Sequence, residues 1–193
     1  LSMDNFSFDD VEMGVYNTEQ LVKLLSVLNE KISIDLTKAG DKAVSLKVSD
    51  SKSDVNYMLS DLSVISQAPN MKSVPDFEVK IKVDKSFMSK FISGVSALPD
   101  AGNFTVIAND NDCKVVIGYA EINTNRVTIP VETEELSKIE NVAFSSNLLK
   151  DVLTANKECE SATLEISSKG LARIQFKVDD YDALYYLVAE TND

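Results

Sequence analysis

Apolar and polar positions change period in the same order three times along the chain. The order is clearest over 77–131. Phe77, Val79, Ile81 and Val83 alternate with Glu78, Lys80 and Lys82, the period of two that marks a half-buried strand. Asp84 then stands where a helix needs its N-cap, because its carboxylate can accept a bond from an unpaired first-turn N–H. Phe87, Met88, Phe91, Ile92, Val95 and Leu98 follow at helical spacing, and Pro99-Asp100 ends the run. Residues 104–108 and 114–119 predict a hairpin across a polar turn, and 125–131 predict a further strand.

The same order occurs before and after this stretch. Val11, Met13 and Val15 predict a strand. Asn17 can cap the following helix, with Gln20 at the capping-box position. Leu21, Val22, Leu24, Leu25 and Leu28 make its apolar stripe, and three alternating runs follow, ending at Val55, Tyr57 and Leu59. Later in the chain, Val142 and Phe144 mark a short strand, Ser145 or Ser146 a cap, and Leu148, Leu149, Val152 and Leu153 a helix stripe. Residues 163–167 and 171–178 predict a hairpin across Ser168-Lys169-Gly170, and 183–190 the last strand. Residues 62–76 break the pattern with loop formers and two prolines and read as a connector. Glu132, Glu134 and Glu135 read as an exposed acidic segment. Three copies of about fifty residues imply a repeated architecture. The fold class is α+β, with each amphipathic helix laid on one face of antiparallel sheet.

Composition narrows the chemistry. Histidine is absent from the 193 residues, which removes Ser-His-Asp and Cys-His catalysis and the commonest metal ligand. Cys113 and Cys159 are far apart and lack CxxC spacing, so neither zinc nor a redox pair is expected. Asp110/Asp112 and Asp179-Asp180 sit in turn-like segments and read as solvated turn formers. Asp110-Asn111-Asp112 lacks the Gly and Glu that a calcium loop needs. No glycine-rich phosphate loop is present. These absences make an enzyme the weaker reading, and no cofactor is expected. No apolar run reaches membrane-span length and no leader is visible, so an intracellular protein is expected.

The net charge of −12 argues against an outer surface that grips nucleic acid. The predicted helices 17–30, 84–97 and 145–157 depart from that average. They hold Lys23, Lys85, Lys90, Lys150 and Lys157 against four acids, a net +1, which leaves −13 for the rest. The enrichment is mild, and solvated helix faces often look like this.

Repeated strand–helix–strands units, lysines on helix faces, a proline-bearing connector and an acidic whole resemble the DNA sliding clamps. The ending Tyr185-Tyr186-Leu187-Val188-Ala189, followed by a short acidic tail, is similar to the end of clamp chains. Asp10-Val11-Glu12-Met13-Gly14-Val15-Tyr16, with Asn17 and the helix after it, resembles the clamps of T-even-type phages, as does the connector from Gln67-Ala68-Pro69-Asn70 through Pro75. The resemblance implies a fold similar to proliferating cell nuclear antigen. It also implies a homotrimeric ring around double-stranded DNA, with helices lining the hole, that tethers the DNA polymerase after a clamp loader places it. On that reading Lys23, Lys85, Lys90, Lys150 and Lys157 face DNA. Val64, Ile65, Pro69, Leu187, Val188 and Ala189 belong to an apolar groove for partner peptides. A phage-type subunit has four such units and this sequence has three. The resemblance therefore implies an N-terminally truncated chain: 1–65 as the second half of a first domain, 66–76 as connector and 77–193 as a complete second domain. Its place would be the host cytoplasm. The reading from another class is an acidic structural or scaffold protein of a virion.

Overall fold

The computed structural model describes residues 11–29, 31–66, 73–122, 124–178 and 181–190, the side chains of Val178 and Tyr181 excepted. They fall into two compact units, one on each side of residues 72 and 73.

The first unit carries helix α1 (Thr18–Leu25) and strands β1 (Ser33–Ala39), β2 (Lys42–Ser49) and β3 (Asp54–Met58), which form an antiparallel sheet in the order β1-β2-β3. Asn17 caps α1 by accepting the Gln20 N–H at 2.9 Å. Val48, Val55 and Tyr57 form the small buried centre, and no residue of α1 is fully buried. The strand predicted from Val11 onward is reduced to one bridge between Gly14 and Ser60, in which the Ser60 N–H donates to the Gly14 carbonyl at 2.8 Å. A ladder needs a partner edge, and among the described residues this segment meets no other strand.

The second unit holds β4 (Val79–Val83), α2 (Lys85–Ala97), β5 (Asn103–Ala108), β6 (Cys113–Ile117), β7 (Val127–Pro130), β8 (Thr133–Glu135), β9 (Val142–Ser145), α3 (Ser146–Ala155), β10 (Ser161–Ser167), β11 (Leu171–Val178) and β12 (Tyr181–Val188). Its antiparallel sheets run β12-β11-β10-β4-β8 and β7-β6-β5-β9. Each sheet takes three strands from one repeat and the first strand from the other, and the five-stranded sheet adds β8 beside β4. β4 lies on β10 with Val83 opposite Ala162 and Ile81 opposite Leu164. β9 lies on β5 with Phe144 opposite Phe104 and Val142 opposite Val106. α2 and α3 pack against each other, and their buried residues join those of both sheets in one core. Phe91 meets Phe104 edge-on at 5.2 Å, and Phe104 lies 5.6 Å from Phe144, so one aromatic chain links α2 to both repeats. Gly94 lets α2 sit close on the sheet, since a Cβ there would stand 2.8 Å from Ile117 Cδ1.

Caps and returns repeat as well. Asp84 caps α2 by accepting the Phe87 N–H at 2.6 Å, and Ser145 caps α3 through Leu148. In each repeat the chain comes back after its third sheet strand to hydrogen-bond its own first segment. Ser60 reaches Gly14, Glu132 reaches Lys82 and Glu190 reaches Ala143. The segment predicted as merely exposed and acidic therefore contains a strand. β8 pairs with β4, with Thr133 opposite Ile81, because its backbone can complete the edge of β4 whatever its side chains are.

Candidate nucleic-acid interface

The apolar stripe of α2 is consumed by the core: Phe87, Met88, Phe91, Gly94 and Val95 are buried. The opposite face presents Lys85, Ser86, Ser89, Lys90, Ser93 and Ser96, all exposed, and the helix contains no carboxylate. This face offers two ammonium groups and the hydroxyls of Ser86, Ser89 and Ser93, while the Ser96 hydroxyl donates to the Ile92 carbonyl at 2.9 Å. Among the described residues no carboxylate lies within ion-pair distance of Lys85, Lys90 or Lys150. The lysines were legible from charge counting. The hydroxyls were overlooked because serine carries no charge, although it donates to phosphate oxygens as lysine does.

α3 contributes less. Leu149 and Leu153 are buried, Leu148 is exposed, and Lys150 is half-buried beside the exposed Asp151. The Thr154 hydroxyl donates to the Lys150 carbonyl at 2.7 Å. Lys157 is exposed but lies beyond the helix. α3 ends at Ala155, with Asn156 as C-cap, because the Asn156 amide bends back to the Val152 carbonyl at 2.8 Å and stops the spiral. Lys23 of α1 is exposed and paired with Glu19 at i,i+4 spacing. Helix bounds shorter than predicted also change the charge count. Together α1, α2 and α3 hold Lys23, Lys85, Lys90 and Lys150 against Glu19 and Asp151, a net +2.

The outer face of the five-stranded sheet is built differently. Lys80 pairs with Glu134 at 3.0 Å, Lys82 with Glu132 at 4.0 Å, and the Arg173 guanidinium with Glu165. Arg173 also stacks over the Phe77 ring, 4.6 Å from its centroid. These cations are neutralised within the sheet, whereas Lys85 and Lys90 are not.

The residues expected in a peptide groove separate by exposure. Val64, in a 3-10 turn (Leu62–Val64), is exposed and Ile65 is half-buried. Val188 is 74% exposed, while Leu187 is only 4% exposed and belongs to the core. Ala189 is half-buried, and Pro69 lies outside the described residues. A cleft of about 580 Å³ lies at the C-terminal end of α2, lined by Leu98, Pro99, Asp100, Asn103, Tyr119 and Asn125. The Thr124 hydroxyl, which also lines it, donates to the Gly118 carbonyl at 3.1 Å. In the 109–112 turn, the Asn109 side chain accepts the N–H groups of Asn111 and Asp112 at 2.9 Å, the geometry of a solvated turn. Asp179-Asp180 lies outside the described residues. No described helix is long and apolar enough to cross a membrane, and no metal-holding group of His, Cys, Asp or Glu forms among the described residues.

No family model and no curated protein matches the sequence. Solved structures do. PCNA from Thermococcus kodakaraensis superposes with a TM-score of 0.65 at 16% identity, covering 90% of this chain and 71% of that one. A. fulgidus PCNA, bound to the C-terminal region of FEN-1, gives 0.68 at 15% identity over 91% and 71%. Proliferating Cellular Nuclear Antigen from Entamoeba histolytica gives 0.67 at 16% identity over 91% and 71%.

The chain has the sliding-clamp fold. The clamp fold accounts for the strand exchange between repeats and for the paired helices of the second unit. None of these three clamps is a phage protein, so the likeness to the T-even branch rests on the sequence stretches alone.

Proposed function

We propose that the protein is a sliding clamp that encircles duplex DNA without reading its sequence and tethers a replicative polymerase. The observation that carries this reading is the helix layer of the clamp-fold unit. α2 offers Lys85 and Lys90 unpaired beside exposed serines, while Lys80, Lys82 and Arg173 of the sheet are held by carboxylates. A clamp holds DNA by topology, so it needs weak, salt-screened phosphate contacts and no base contacts. Two free lysines and several hydroxyls per unit suit that better than a dense basic patch. The acidic balance of the whole, −12, repels DNA from other surfaces.

In this reading 77–193 is a complete clamp domain, 66–76 the connector and 1–65 the second half of a first domain. The chain is of the T-even-type branch and forms a homotrimer loaded by a clamp loader in the host cytoplasm. Lys85 and Lys90 are the principal DNA contacts, with Lys150, Lys23 and Lys157 contributing less. Partner segments such as the FEN-1 terminus on A. fulgidus PCNA suggest that short peptides dock here too. Val64 and Val188 are the exposed apolar candidates for such contacts, and the protein performs no catalysis of its own.

The test is retention on DNA. The protein loaded on nicked circular DNA should remain bound through gel filtration and be lost when the circle is linearised. Lys85→Glu with Lys90→Glu should shorten residence at moderate salt and leave the circular dichroism spectrum unchanged. Equal retention on circular and linear DNA sinks the clamp reading and favours an acidic scaffold protein.

A further inference from the structure

We propose that the cleft at the C-terminal end of α2 is a docking site for a basic segment of a partner protein, one that sets an arginine or lysine beside an apolar side chain. Its walls are the turn from α2 into β5 and the loop from β6 to β7. Neither Val64 nor Val188 lines it, so it is separate from the exposed apolar residues near the connector and on β12.

The shape comes from two walls that are each tied down. At about 580 Å³ the cleft is inside the range of about 300–1,000 Å³ usual for ligand sites. Ala97, Leu98, Pro99, Ala101, Tyr119 and Ala120 give it apolar sides. The first wall is pinned from α3. The Ser146 hydroxyl donates to the Ala101 carbonyl and the Ser146 N–H to the Gly102 carbonyl, each at 2.8 Å. The second wall turns at Gly118, whose φ is +73°. A Cβ there would stand 2.8 Å from the Asn125 carbonyl oxygen. The Thr124 hydroxyl closes this loop on the Gly118 carbonyl, and the Asn141 amide donates to the Tyr119 hydroxyl at 3.2 Å. A site held in this way has little order left to lose on binding. The same loop holds out Ile122, which is 75% exposed, so apolar contact is offered beyond the cleft itself. An extended chain can use both, and a small molecule cannot.

The charge of the occupant follows from complementarity. Asp100 is the one charged side chain among the described residues that line the cleft, and it pairs with no cation among them. Glu121, exposed on the loop, adds a second carboxylate. α2 ends here, so the negative end of a 13-residue helix is added to both. Its last turn holds no basic residue to offset that end. Pro99 has no N–H to give back to the helix, and among the described residues nothing donates to the Ala97 carbonyl. Arg126, the nearest cation along the loop, does not line the cleft. A guanidinium or ammonium group entering beside Asp100 would meet acceptors on the helix end and the carboxylate together, while its apolar neighbour rests on Leu98 and Tyr119.

The experiment uses the 193-residue chain without DNA. The probe is a blocked, fluorescein-labelled tetrapeptide of alternating leucine and arginine. Its anisotropy should rise on titration with the protein. Amide resonances of Ala101, Gly102, Gly118 and Tyr119 should move together as unlabelled peptide is added. The citrulline counterpart keeps the shape and loses the charge, and should bind about tenfold more weakly. Asp100→Asn should weaken the arginine peptide about fivefold and leave the citrulline peptide unchanged. Ala97→Trp, at an exposed position, should block both peptides, while Val188→Ser should affect neither. Any of four results overturns the proposal: no anisotropy change, equal binding of the two peptides, resonance shifts centred outside the cleft, or cleft resonances that follow protein concentration and ignore the peptide, which would assign the cleft to contact between copies.

Discussion

Phe104 and Phe144 face each other across the β5–β9 ladder with ring centroids 5.6 Å apart, and both are fully buried. They belong to different repeats, so their contact is a seam where two halves become one domain. Truncating Phe144 to Ala removes a ring from the centre of the core and should cost about 3–5 kcal/mol. Leu148→Ala, close by on the exposed face of α3, should stay within about 0.5 kcal/mol. Urea unfolding followed by tyrosine fluorescence measures both, since the chain has no tryptophan.

The cap of α2 gives a smaller, separable effect. Asp84→Ala leaves the Phe87 N–H without its acceptor and should cost about 1 kcal/mol, with Asp84→Asn recovering most of it. Thermal unfolding of the two variants makes the comparison.

Much of this was legible locally. The caps Asn17 and Asp84, the α2 stripe and the hairpin around Ser168-Lys169-Gly170 follow from spacing within a dozen residues, and the structure contains them. The partner of a first strand is not local. Nothing in the alternation of Val79, Ile81 and Val83 says that they meet β10 rather than β5, because period two reports a buried face and not a neighbour. β8 was hidden for the converse reason. Its side chains are polar, and its role rests on backbone groups. Lys85 and Lys90 were legible as candidates because α2 contains no acid. Lys157 was misplaced because nothing in its spacing reveals that Asn156 turns back on the helix.

Asp50 should make the first unit sensitive to acid. Its carboxylate accepts the Asn29, Lys52 and Ser53 N–H groups at 2.7–2.8 Å, and the Asn29 bond leads in holding its pKa below the ordinary 3.8. The stability this contributes is therefore present above about pH 4 and lost as pH falls through the lower folded value. The protection of the Lys52 and Ser53 amides, taken relative to the intrinsic exchange rate at each pH, should fall in that window. Asp50→Asn should show faster exchange already at pH 7 and no such acid step.

The two thiols should be inert in the folded protein. Burial, with the nearby Asp112 charge second, pushes Cys113 up to about 11. Burial also raises Cys159, against the pull of Lys85. At pH 8 both stay protonated, so a thiol reagent should label them slowly until denaturant is added, then rapidly. The sign for stability is opposite to that of Asp50. The unfolded chain loses these protons first, so folding weakens as pH rises from about 9 toward 11.

The exchange of first strands has a consequence for synthesis. A ribosome delivers β4 well before β10, and Val83 must wait for Ala162 before its edge is closed. The middle repeat therefore emerges with β4 lacking its principal neighbour. Closing so long a loop is slow, and the waiting edge is open to wrong pairing. A ribosome stalled before residue 160 should hold a nascent chain that proteases cut readily between 77 and 131. The same segment should become resistant once β10 has cleared the exit tunnel. The fold of the centre of this molecule is decided by a strand made well after it.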